Sequence, residues 1–166
     1  MSDVLPQVKD VLTAAGMRYR VLECSPELAD TEAFCAEYGF SPSQSANTII
    51  VVSKTDPKRY AACVVLAMSR LDVNKKVREL LGAKKVSFAP MDEALTLTTM
   101  EYGGVTAVGL PADVPIFVDA EVMQQPQIVL GGGNRSSKLL LAPDELLKLP
   151  NLQVVQGLAR PKAPAA

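Results

Sequence analysis

The sequence of 166 residues predicts an α/β fold of the α+β type: one domain built on a mixed sheet with flanking helices. Two long apolar runs, "NTIIVVSK" from Asn47 and "YAACVVLAMS" from Tyr60, read as strands, the second buried on both faces. Several amphipathic segments carry cap residues at their ends and read as helices. Strands and helices do not alternate regularly along the chain, which separates a mixed sheet from a doubly wound one.

Each element follows from local chemistry. Leu5, Val8, Leu12 and Ala15 share one face of a first helix, and Gly16 is placed to end it. "RYRVLEC" alternates as a strand. Asp30 or Thr31 caps "TEAFCAEYG", Gly39 closes it, and Ser41-Pro42 prevents the helix from continuing. "TDPKR" reads as a turn between the two apolar strands. Asp72 caps "VNKKVRELLG", which ends at Gly82. A short strand "KKVSFA", a helical turn started by Pro90, a glycine-bearing loop "EYGGVTAVGLP" and the strand "VPIFVDAEV" come next. "PQIVL" enters "GGGNRSSK", "LLLA" leaves it, and "PDELLKLP" is a last helix with Pro in its first turn. The domain is expected over 1–156, and 157–166, ending "ARPKAPAA", as a disordered tail low in core-forming residues.

Composition narrows the chemistry. The chain has no histidine, which removes the commonest general base, the commonest metal ligand and every Ser-His-Asp or Cys-His arrangement. Cys24, Cys35 and Cys63 are odd in number, widely spaced and without a CxxC pair, so a structural role is expected, with neither disulfides nor a metal site. The net charge of −1 supplies no global basic field, so a nucleic-acid partner would have to be met locally. No apolar run approaches the roughly 18 residues that span a bilayer, and "MSDVLPQVKD" lacks the order of a secretion signal. A cytoplasmic protein, with no membrane partner and no cofactor, is expected.

Four stretches can carry chemistry. In "GGGNR", Gly131, Gly132, Gly133, Asn134 and Arg135 lie between apolar strands, where backbone amides and the arginine can hold a phosphate or carboxylate, or simply form a glycine-rich hairpin. The P-loop ending GK[ST] and the GxGxxG spacing are both missing. In "YGGVTAVGLP", amides near Gly103 and Gly104 can polarise a carbonyl as an oxyanion hole does, with the Thr106 hydroxyl in the same loop; a plain loop fits equally. The two glycine loops would form opposite walls of a cleft if they met at one sheet edge. Lys75, Lys76, Lys84 and Lys85 face phosphates or form the solvated side of a helix that buries Val73, Val77, Leu80 and Leu81. Asp119, after an apolar strand, fits a buried acceptor, a ligand contact or a turn-former.

Five segments in order, "TEAFCAEYGFSPSQSANTIIV", "LDVNKKVRELLGAKKVSFA", "GGVTAVGLP", "PIFVDAEV" and "GGGNRSSKLLLAPDELLKL", resemble the YbaK/prolyl-tRNA-synthetase-associated domain family over about residues 5 to 150. The resemblance implies a strongly curved central sheet and hydrolysis of the ester that joins a wrong amino acid to the tRNA 3′ end. Such editing is needed because a synthetase pocket separates small isosteric side chains by only about 1–3 kcal/mol. An aminoacyl ester is already activated, so water, oxyanion-stabilising amides and a terminal-ribose hydroxyl suffice without histidine or metal.

By position, Gly103 to Ala107 matches the family's GxxxP-type loop, whose backbone contacts the aminoacyl carbonyl. Asn47 would position the terminal nucleotide, Asp119 the amino acid, and Arg135 a phosphate or carboxylate. The four lysines are candidates for tRNA backbone contact, and a synthetase is a candidate partner. Two residues depart from the family pattern: Asn47-Thr48-Ile49 stands where the family has a "KTL"-like segment, and Ala107 stands in place of the proline. The resemblance therefore implies a trans-acting aminoacyl-tRNA deacylase, with a binding module that has lost hydrolysis as the alternative.

Overall fold

The computed structural model describes residues 3–54 and 57–162. In chain order its elements are α1 (Pro6–Ala14), β1 (Arg20–Glu23), α2 (Thr31–Tyr38), β2 (Ala46–Ser53), β3 (Tyr60–Leu66), β4 (Ser69–Leu71), α3 (Arg78–Leu81), β5 (Val86–Phe88), α4 (Met91–Thr98), β6 (Ile116–Asp119), β7 (Ile128–Gly131), β8 (Ser137–Leu141), β9 (Leu152–Val155) and β10 (Ala159–Pro161). Helix ends follow local chemistry. Gly39 and Gly82 adopt left-handed φ values of +77° and +58° directly after α2 and α3, and the Asp72 carboxylate accepts from the Lys75 amide ahead of α3.

The fold is mixed α/β. Its main sheet has the order β5-β2-β3-β6-β9; β5, β2 and β3 run antiparallel, whereas β3, β6 and β9 are parallel. A second, antiparallel sheet has the order β1-β8-β7, and a parallel bridge from Ser45 to Val129 joins it to the start of β2. Alternation along the strands divides the interior into separate cores. Ala46 and Ile50 of β2, with Ile116 and Val118 of β6, join the larger core, which Val8 and Leu12 of α1 close. Val51 and Phe117 face the opposite way, into a second core with Val77 and Leu81. Each fully buried valine, leucine, isoleucine or phenylalanine among these contributes about 1.5–3 kcal/mol.

Several expectations need correction. The C-terminal segment is folded through Lys162: Leu158 is fully buried, and β10 pairs antiparallel with β4, a strand that local pattern does not reveal. Burial of Leu158 in the second core gives this segment the anchor that its composition lacks. "PDELLKLP" forms a 3₁₀ helix (Pro143–Lys148), and the helical turn after Pro90 extends to Thr98. The expected turn "TDPKR" lies partly outside the described residues, since Thr55 and Asp56 are not among them.

All three cysteines are free and buried. Cys63 lies at the centre of β3 without exposure, and burial pushes its thiol from 9.0 up to about 12. The unfolded chain releases this proton near 9 and the folded chain does not. Its contribution is therefore whole below pH 9 and is lost as pH rises towards 12, at up to about 1.4 kcal/mol per pH unit. Urea titrations of Cys63→Ala are expected to show a flatter decline of stability above pH 9 than the parent. Parallel declines would exclude Cys63 as the source.

Candidate active site

The two glycine loops meet backbone to backbone. The Gly133 amide donates to the Gly104 carbonyl at 2.7 Å, and the Glu101 amide donates to the Gly133 carbonyl at 2.9 Å. A Cβ on Gly104 would run into the Asn134 backbone, and one on Gly131 would stand 2.7 Å from the Gly104 carbonyl oxygen. These glycines are therefore required for close approach of one chain segment to the other. The loops form one continuous wall, not the two opposite walls expected.

Arg135 clamps this wall. Its Nε and Nη2 donate to the Pro26 carbonyl at 3.0 and 2.7 Å, Nη1 donates to the Tyr102 carbonyl at 3.0 Å, and the Asp30 carboxylate lies 3.7 Å away. Asn134 is also engaged: its Nδ2 donates to the Asp3 carbonyl, and its Oδ1 accepts from the Ser136 amide and the Ser137 hydroxyl. Both side chains hold the loop together, so the expected grip on a substrate phosphate or carboxylate is replaced by an internal one.

A cleft of about 320 Å³ opens between this wall, β2, β5 and α4. Asn47, Gly103 and Gly131 line it together, as do the unforeseen Thr48, Tyr102 and Lys138. Its inner walls are apolar, formed by Ile50, Ala89, Ala94, Val105 and Leu130. Phe88, Met91 and Tyr102 stand at its edge with 57%, 52% and 54% of their surface exposed. Among the polar lining groups, the Thr48 hydroxyl is buried without a hydrogen-bond partner among the described residues.

The remaining expected site residues lie elsewhere. Thr106 and Ala107 are buried at 0% and 1% exposure, turned into the core beneath the loop; Ala107 belongs to the larger core. The Gly104 amide donates to the Glu101 carbonyl at 2.9 Å and is thus already engaged. Asp119 borders a different cavity, with Met68, Gln156 and Lys162, because β6 directs it to the same side as Phe117. Burial pushes its carboxyl above the ordinary range, partly offset by the nearby Ala159, Leu158 and Ala120 amides. Lys75, Lys76, Lys84 and Lys85 do not line the cleft.

Lys138 had no motif to announce it. It sits on β8 directly opposite Gly131 on β7, and only 8% of its surface is exposed. Its Nζ donates to the Ala29 carbonyl at 2.6 Å and lies 5.3 Å from the centre of the Phe34 ring. Desolvation holds its pKa below the usual lysine value, partly offset by Cys24, Asp30 and Cys35.

A family model described as the aminoacyl-tRNA editing domain matches residues 25–149. The chain belongs to that family. Relatives of this editing domain include EbsC of Enterococcus faecalis, provisionally named a Cys-tRNA(Pro)/Cys-tRNA(Cys) deacylase, which is 26% identical over 133 residues covering 80% of this chain and 79% of that protein. The proline–tRNA ligase of Bacillus licheniformis is 32% identical over 110 residues, 64% of this chain but only 18% of the ligase. Among solved structures, the hypothetical protein APE2540 superposes with a TM-score of 0.83 at 27% identity, over 93% of this chain and 99% of that one. A candidate trans-editing enzyme for prolyl tRNA synthetase shares the fold, with a TM-score of 0.80 at 22% identity, over 96% of this chain and 100% of that one.

Gly104→Ala is expected to cost about 1–3 kcal/mol in urea unfolding, because the added methyl group must displace the Asn134 backbone. Arg135→Lys keeps the charge but not the planar fork, so amide exchange in residues 101–105 should quicken while that of β3 is unchanged. Unaltered exchange in the loop would remove Arg135 as its clamp.

Proposed function

We propose that this editing domain is a trans-acting aminoacyl-tRNA deacylase that hydrolyses the ester of a mischarged tRNA. The observation that carries the reading is the cleft, whose size and apolar inner wall suit an aminoacyl group and whose lining includes Asn47, Thr48 and Lys138 as polar groups. Family membership agrees with it. In this reading the aminoacyl ester enters between Gly103, Gly131 and β2. Phe88, Met91 and Tyr102 offer exposed apolar surface to the terminal adenosine outside. Asn47 reaches the terminal nucleotide from the β2 edge of the cleft.

Hydrolysis by this route needs no histidine. Water adds to an ester carbon that is already electrophilic, and the terminal-ribose hydroxyl relays the proton. Lys84 and Lys85 immediately precede β5, three or four residues before Phe88 at the cleft mouth, and are exposed. They are the best placed of the four lysines for tRNA phosphates, which are held at the surface in water. A synthetase partner would supplement this local charge.

The test is release of amino acid from a panel of mischarged tRNAs at micromolar protein. Release from at least one pair is expected, and none from any pair would exclude the deacylase. Lys84→Ala/Lys85→Ala should raise KM with little change in kcat and should flatten the dependence of KM on salt. An unchanged salt dependence would place the tRNA elsewhere. The engaged Gly104 amide favours the second reading, a binding module without hydrolysis; if the parent is inactive and Asn47→Lys gains deacylation, that reading replaces the first.

A further inference from the structure

Lys138 is hard to explain as a stabilising residue. An ammonium that is nearly removed from water loses much of its hydration unless a counter-charge replaces it. Among the described residues, no carboxylate stands within ion-pairing distance of its Nζ; the nearby Asp30 is itself 3.7 Å from Arg135, with its side chain 65% exposed. The ammonium has three N–H donors, and the Ala29 carbonyl accepts one of them. A methionine or leucine would fill the same space over Phe34 without the desolvation cost.

Placement gives the charge a use. Lys138 is the sole cationic side chain lining the cleft among the described residues. Opposite it on β7 is Gly131, which has no side chain to cover the lysine stem and lines the same cleft. With only 8% of its surface exposed, Lys138 suits a group that loses its water cheaply, and a neutral aminoacyl ester does so at less cost than a charged phosphate. With the Gly104 amide turned to Glu101, the loop has one fewer donor for a carbonyl than its sequence promises.

We propose that Lys138 is a catalytic residue whose ammonium binds the carbonyl oxygen of the aminoacyl ester and stabilises the negative charge that develops there. This rests on the deacylase reading. Water forms a bond to the carbonyl carbon, the carbonyl π pair moves to the oxygen beside Nζ, and the water proton passes to the substrate's neighbouring ribose hydroxyl, which releases its own proton to solvent. As the carbonyl re-forms, the ester C–O bond breaks and its oxygen leaves the amino acid, taking a proton from water to become the ribose hydroxyl. Lys138 stays protonated throughout and acts by charge alone, in a water-poor site where charge counts most.

The test compares the full-length parent with Lys138→Met and Lys138→Arg. On a tRNA that the parent deacylates, Lys138→Met should lower kcat by about 10²–10³-fold with KM nearly unchanged, as loss of one oxyanion contact does, and Lys138→Arg should recover part of it. Two unreactive probes separate this from failure of the deacylase reading: an aminoacyl-adenosine analogue with an anionic tetrahedral phosphonate at the ester position, and its neutral amide counterpart. The parent should bind the phosphonate more tightly, and Lys138→Met should abolish the preference without weakening the amide. Equal loss of both probes, a preserved kcat, or no preference in the parent would overturn the proposal. If Lys138→Met does not fold, Lys138→Gln takes its place in the same two-probe comparison. An inactive parent that still prefers the phosphonate would sink the deacylase reading and leave the charge assignment standing.

Discussion

Everything in the site depends on one contact: the backbone of Gly104 against that of Gly131 to Asn134. Two chain segments approach more closely there than any side chain allows, and the Gly133 amide seals the contact at the Gly104 carbonyl. Arg135 then spans from this seam to Pro26 and Tyr102, so three stretches distant in sequence share one guanidinium. α1 braces the same region from beneath: the Gln7 amide donates to the Thr98 and Gly109 carbonyls on either side of the loop. The cleft wall is thus over-determined and held rigid, as recognition of a small ester requires.

This construction reassigns the polar groups that a motif reading points towards. Asn134 and Arg135 satisfy carbonyls and amides of the two glycine loops and of the adjoining Asp3 and Pro26. Both stay partly exposed, but their polar atoms are spent on the fold and neither lines the cleft. Low polarity strengthens any charge that remains and raises the cost of one without purpose. Lys138, Thr48 and the cleft-lining backbone therefore outweigh the more conspicuous glycine-rich motif in what the pocket can do.

Much of the fold was legible in the sequence for a local reason. Helix ends announce themselves through Gly39 and Gly82, whose left-handed conformation disfavours other residues, and through Asp72, which satisfies a backbone donor. β2 and β3 are apolar enough to be read directly. β9 and β10 were not legible, because "LQVV" and "ARP" are short and half-exposed; they become strands only by completing the β6 edge and by pairing with β4. Of the candidate site, Asn47, Gly103 and Gly131 line one cleft, whereas Thr106 and Ala107 are buried away from it, since exposure of a loop residue depends on what lies beneath the loop.

The sequence by itself determined the absence of histidine chemistry, the helix and strand periods, and an ordered series of segments that identifies the family. These properties reside in residue type and spacing. Tertiary structure alone decided that Asp119 borders another cavity and that Lys138 meets the carbonyl of Ala29, 109 residues away. The reason is register: a side chain's face follows strand parity, and its neighbours follow which strands pair. Lys138 lines the cleft from β8, opposite Gly131, a relation that no local pattern in "SSKLLL" encodes.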